Sequence, residues 1–187
     1  MDLRSQDVVV ALKLALHGGR GWTYADLGQE LDLSASQIFL SVNRCRDARL
    51  LDAALAPPPS LLRGRKDSVL SWSSINRKNL VEFLIHGVKY AFPACHGGMT
   101  RGIATSFAAP PLNKDIVSSP DPPPVWPYAE GKTRGIELSP LYRNVPRAAM
   151  RDAKLYESLA LVDAIRDGRA REREIAIREL SSRISAK

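Results

Sequence analysis

Apolar residues recur at helical spacing from the start of the chain. Val8, Val9, Leu12 and Leu16 mark one side of a segment running from Ser5 or Gln6 to about His17, and Gly18-Gly19 ends it. Trp22 reads as a core residue ahead of the cap Thr23. A second helix follows, with Tyr24, Leu27 and Leu31 inward, and it breaks at Asp32-Leu33. Ser34 caps a third helix, whose Ile38, Val42, Cys45 and Arg49 return at intervals of four, three and four residues before Leu50 and Leu51, a short strand. The opposite face of that helix carries Ser36, Gln37, Leu40, Asn43, Arg44 and Asp47.

The pattern changes after Leu51. Beyond Pro57-Pro58-Pro59, the cluster Arg63-Gly64-Arg65-Lys66-Asp67 lies between two short apolar segments, Leu61-Leu62 and Val69 to Trp72, as a turn between two strands would. Ser73 to Pro93 then spaces Leu80, Phe83, Leu84, Val88 and Phe92 as a Ser-capped helix that loosens at Gly87 and stops before Pro93.

The stretch Thr23 to Leu51, followed by a basic strand turn, resembles the winged helix-turn-helix of bacterial transcription regulators over roughly the first seventy residues. The resemblance implies that the third helix enters the major groove of double-stranded DNA. Ser34, Ser36, Gln37, Asn43 and Arg44 are then the candidate contacts, with Gln and Asn suited to adenine and Arg to guanine or phosphate. The turn becomes the wing, and Arg63, Arg65 and Lys66 suit phosphates or a narrow minor groove. Leu40 is apolar where DNA is expected, and the first two turns of the helix hold no Lys or Arg.

Past residue 92 the chain echoes itself. Gly98-Met99-Thr100-Arg101-Gly102-Ile103 and Gly131-Lys132-Thr133-Arg134-Gly135-Ile136 share a Gly-x-Thr-Arg-Gly-Ile pattern, each preceded by an aromatic-Pro pair, and they read as two similar strand-turn units. Glycine opens backbone conformations and exposes amides, while Arg offers a planar five-donor fork. Arg101 and Arg134 are accordingly candidates for an anion clamp or a partner contact, or each ties down its own loop. Between the units, Ala109 to Pro124 is Pro-rich and reads as an extended surface connector. From the cap Asp152, Leu155, Leu159, Val162 and Ile165 line a helix; after Asp167-Gly168 a second carries Ile175, Ile177, Leu180 and Ile184, with Arg and Glu mixed on the outer face.

These elements predict an α+β, mainly helical fold. The boundaries expected are a winged helix-turn-helix at 1–73, a connecting helix at 74–92, and a C-terminal region at 93–187 holding the loop-rich β units and the helical tail. The net charge of +7 is unevenly spread: six basic residues against seven acidic in 1–56, seven against two in 57–110, three against four in 111–140, and eleven against seven in 141–187. Affinity for a polyanion would therefore come from outside the helix pair.

His17, His86 and His96 fall in separate segments, and no Ser or Cys sits in a nucleophile motif, so no catalytic role is expected. Cys45 and Cys95 lack metal-ligand spacing and read as reduced thiols; neither a metal nor a cofactor is expected. No apolar run reaches the roughly 20 residues of a membrane span, and Val8 to Leu16 is broken by Lys13 without a cleavage pattern, so a cytoplasmic protein is expected.

The function expected is a DNA-binding transcription regulator or repressor, acting as a homodimer. The alternative is a protein-interaction module. Its plan resembles the antitoxins of abortive-infection toxin pairs, which join a winged helix-turn-helix to a C-terminal domain that neutralises a protein partner. RNA binding lacks the aromatic stacking platform that single strands require.

Overall fold

The computed structural model describes residues 2–17, 21–52, 69–70, 75–114, 116 and 121–186. Helices dominate an α+β fold, with one small three-stranded unit set among them. The N-terminal part comprises α1 (Ser5–Leu16), β1 (Trp22–Thr23), α2 (Tyr24–Leu31), α3 (Ala35–Asp47) and β2 (Val69–Leu70). Helix α1 is buried on every side from Gln6 to Ala15, the polar Asp7 and Lys13 included. A helix shielded all round belongs in the middle of a fold. Accordingly, α1 packs against α3 on one side and against the C-terminal helices on the other.

Helix α3 ends at Asp47, two residues short of the expected Arg49. Arg49 adopts a left-handed backbone (φ 57°), and the Leu50 N–H turns back to donate to the Cys45 carbonyl at 2.8 Å. That geometry closes a helix end and sends the chain away. It returns beside the entrance to α2: β1 pairs antiparallel with β2, Trp22 opposite Leu70 and Thr23 opposite Val69, and Leu51 bridges to Ile75. The turn holding Arg63, Arg65 and Lys66 lies outside the described residues, as does the expected Ser73 cap.

The next helix is capped by Asn76, whose side chain accepts from the Asn79 N–H at 3.0 Å. It starts as α4 (Arg77–Glu82), widens into a π-helical turn (Phe83–Gly87) and finishes as a last α-turn (Val88–Ala91). The widened turn is where loosening was expected at Gly87. Leu80, Leu84 and Val88 remain buried through it.

Strands β3 (His96–Ala104), β4 (Pro124–Pro127) and β5 (Thr133–Leu138) close on one another, each pairing with the other two. β3 runs antiparallel to both partners, while β4 and β5 are parallel. The Pro-rich connector is not simply extended. Its described part includes a 3-10 turn, Leu112–Lys114, following another at Ser106–Ala108, and it buries Ala109 and Leu112. Apolar anchoring of Leu112 outweighs the tendency of neighbouring prolines to stay solvated.

Helices α5 (Val145–Arg151), α6 (Ala153–Asp167) and α7 (Ala170–Ser185) complete the chain. The Asp152 side chain caps α6 by accepting from the Lys154 and Leu155 N–H groups. Leu155, Leu159, Val162 and Ile165 are buried as their spacing implies. On α7 the buried line is Ala176, Leu180 and Ile184, and Ile175 and Ile177 flank it, half-buried. One apolar core joins α1, α3, α4, α6 and α7.

Asp163 locks the strands to α6. Its fully buried carboxylate accepts from Thr105 Oγ1 (2.8 Å), Trp126 Nε1 (2.6 Å) and the Arg166 guanidinium (2.6 Å). Arg166 also donates to the carbonyls of Phe92 and Pro93 at the foot of α4. Burial pushes the Asp163 carboxyl above its usual range, against the opposing pull of Arg166 and the two neutral donors. Among the described residues, no helix is long and apolar enough to cross a membrane.

Candidate nucleic-acid interface

The unit α2–turn–α3 is built from local signals. Thr23 Oγ1 accepts from the Asp26 N–H at 3.0 Å, and Ser34 Oγ accepts from the Gln37 N–H at 3.2 Å, so each helix start has a side-chain cap. Asp32 takes a left-handed backbone (φ 56°), and the Leu33 N–H donates to the Gly28 carbonyl at 2.8 Å. A Cβ on Gly28 would run into the Leu33 carbonyl oxygen, so this turn closes only over glycine.

On the outer face of α3, Ser36 and Leu40 are exposed, Asn43 is half-buried and Asp47 is exposed; their spacing of four, three and four residues places them in one line. Ser34 is exposed at the helix start. Gln37 is half-buried and engaged there, its side-chain oxygen accepting from the Ser34 N–H at 2.9 Å. Its amide NH₂ is left to donate.

Arg44 departs from the expectation. It is buried, and its guanidinium grips Asp7 of α1 with two bonds of 2.7 Å, Nε to Oδ2 and an Nη to Oδ1. Asp7 is itself fully shielded, so its charge needs this cation close by. The hydrogen bond from Arg44 to Asp7 is the main reason its guanidinium is held still more firmly in the charged form. Arg44 thus braces α3 against α1 and is not on the outer face with the other candidate residues. Cys45, one residue on, is buried, and burial pushes its thiol well up.

A basic helix flanks the turn. α5 packs on α2, where the Asn144 side chain donates to the Asp32 carbonyl, Arg147 pairs with the Asp32 carboxylate at 3.0 Å, and Arg151 donates to the Gln29 carbonyl. Arg147 and Arg151 are four apart on one exposed side, and Arg143 is exposed one turn earlier. Each of the two bonded guanidiniums spends one of five donors on α2, leaving the rest of the fork toward solvent. A depression of about 790 Å³ opens here between Gln29, Asp32, Ser34 and Arg151. Apolar spacing alone does not reveal this helix, although Asn144, Pro146 near the helix start, and arginines at fourfold spacing signal it.

A buried ionic cluster holds α5 and α6 beside the turn. Lys13 of α1 is 2% exposed, and its ammonium meets Asp152 at 2.7 Å and Glu30 of α2 at 3.0 Å, over the Trp22 ring. His17 Nε2 lies 2.5 Å from the same Asp152 carboxylate. Burial alone would raise the Asp152 carboxyl, but hydrogen bonds from Lys13, the Leu155 N–H and His17, with the Lys13 charge, bring it below its usual value. A lowered carboxyl pKa adds stability that is present above the unfolded-state value and lost as pH falls through the folded one. The stability advantage of wild type over Asp152→Asn, which keeps the cap, should therefore shrink as pH drops below about 4. Urea unfolding at stepped pH measures it; an advantage that stays constant to about pH 2 would contradict the coupling.

Of the remaining candidates, Arg63, Arg65 and Lys66 lie outside the described residues, and Arg101 and Arg134 sit on the strands, not at this surface. Among the described residues, no three His, Cys, Asp or Glu side chains gather in a way that could hold a metal ion. Set against known protein families, curated proteins and solved structures, the chain matches none.

Proposed function

We propose that the protein is a DNA-binding transcription regulator of the winged helix-turn-helix kind, with α3 as the recognition helix. The observation that carries this reading is the outer line of α3, exposed at Ser36 and Leu40 and half-exposed at Asn43, bordered across the turn by the arginines of α5. Asn43 suits adenine, Ser36 either a base or a phosphate, and Leu40 becomes intelligible as apolar contact with a thymine methyl. The return of β2 alongside β1 supports a wing after α3. Arg143, Arg147 and Arg151 supply the phosphate contacts that α3 lacks now that Arg44 is turned inward. Two copies on a two-fold axis would set two such helices in successive major grooves, which is why a homodimer in the cytoplasm is part of the proposal.

The test is to recover genomic DNA that co-purifies with the protein and sequence it, alongside mass spectrometry of co-purifying proteins. A single palindromic site is the expected outcome. Asn43→Ala should then relax base choice at one position, by roughly 1–3 kcal/mol. Equal loss on every duplex would argue against direct reading.

One observation favours a second reading, an antitoxin-like module that neutralises a protein partner through its C-terminal region. Met150 is 64% exposed between Arg147 and Arg151, an apolar side chain among cations that fits an acidic protein surface. A stoichiometric protein and no enriched DNA in the same experiment would support it.

A further inference from the structure

The strand unit brings together two arginines that lie 33 residues apart in sequence. Arg101 on β3 and Arg134 on β5 are direct cross-strand partners, with Thr100 opposite Gly135 and Gly102 opposite Thr133. The two Thr-Arg-Gly sequences thus cross at their arginines. Facing residues of an antiparallel pair project to the same side, and their chain neighbours to the other. On that other side β4 passes so close that a Cβ on Gly102 would strike the Trp126 carbonyl oxygen and one on Gly135 the Pro123 carbonyl oxygen. The repeated glycines admit the third strand, and the arginines are turned outward.

Both guanidiniums are exposed, and so is Lys132, two residues before Arg134. Among the described residues, none of these three cations makes a hydrogen bond or ion pair. Like charges directly opposite on neighbouring strands destabilise the pair, unless an anion lies between them. They line a groove of about 700 Å³ together with Glu130 and the half-exposed Met99, two residues before Arg101 and on its side of the strand.

We propose that this groove binds the phosphate dianion of a small phosphorylated ligand, gripped by the forks of Arg101 and Arg134 with Lys132 alongside. Two five-donor forks and an ammonium offer more donors than the two oxygens of a carboxylate can use, whereas the three free oxygens of a phosphate monoester can engage all three groups. Glu130, an exposed carboxylate on the same lining, breaks the run of positive charge, which suits a compact anion rather than a long polyanion. The site is independent of the proposed DNA surface, sharing no residue with it.

Calorimetric titration of the full chain with inorganic pyrophosphate at low ionic strength tests the proposal. One saturable site is expected. Arg101→Gln or Arg134→Gln should weaken it at least tenfold, and the double variant should abolish it. Arg101→Lys, which keeps the charge and loses the fork, should weaken it several-fold. The double Gln variant should melt no lower than wild type without ligand, since it removes a repulsion, and pyrophosphate should raise the melting temperature of wild type only. Equal binding by wild type and the double variant would overturn the site, and acetate binding as tightly as pyrophosphate would overturn the choice of ligand. Loss of duplex DNA binding in the double variant, with no pyrophosphate bound by wild type, would assign the face to a polynucleotide and overturn the compact-anion reading.

Discussion

Replacing Asp163 by Ala is expected to lower the free energy of unfolding by about 3–5 kcal/mol, the range for removing one partner of a buried ion pair. The carboxylate is the common acceptor for Thr105, Trp126 and Arg166, and all three donors come from different parts of the chain. Its loss leaves the Arg166 charge without its partner beside Trp126, which is fully buried. For a chain of this length each kcal/mol moves the melting temperature by roughly 2–4 °C, so calorimetry should register a fall of about 6–20 °C. Asp163→Asn keeps two of the acceptor roles and should cost less than Ala. A loss below about 1 kcal/mol in the Ala variant would show that the strand unit is not held to α6 in this way.

An effect of similar size, again about 3–5 kcal/mol, is expected for Asp7→Ala, which strands the buried Arg44 guanidinium between α3 and α1. Asp7 also accepts from the Arg4 N–H at 2.7 Å, so the start of α1 loses its cap at the same time. The double replacement Asp7→Ala with Arg44→Met removes both charges and should recover much of the loss, because an apolar pair of comparable volume costs little in the interior. Urea unfolding of the two single variants and the double one closes the cycle. Additive losses would mean that the two side chains do not act as a pair. On the proposed function, DNA binding by the double variant should survive, since Arg44 is spent on packing against Asp7.

The contrast between these two ion pairs and the helices around them shows what a single sequence can and cannot reveal. Helices α1, α2, α3, α4 and α6 follow from apolar spacing and from caps such as Thr23, Ser34 and Asp152, all of which act within one or two turns. The inward turn of Arg44 depends on Asp7, 37 residues away, and an arginine at the edge of an amphipathic face carries no local mark of which way it points. Helix α5 leaves little trace in the pattern because it is seven residues long and buries only small or short side chains, Val145, Ala148 and Ala149 among them. The repeated Thr-Arg-Gly sequences are visible as a pattern. That their arginines face each other emerges only from the pairing register of β3 and β5, and the need for their glycines only from the passage of β4.

If the outer line of α3 and the arginines of α5 form one DNA-binding surface, the salt dependence of binding is where it shows most directly. Fluorescence anisotropy with the duplex recovered from the genome gives log K against log salt for wild type and for Arg143→Gln with Arg147→Gln. Both arginines are exposed, so the fold should stand. The magnitude of the slope should fall by about two in the double variant, close to 0.9 for each phosphate no longer neutralised. An unchanged slope and affinity would contradict a DNA-binding role for this surface.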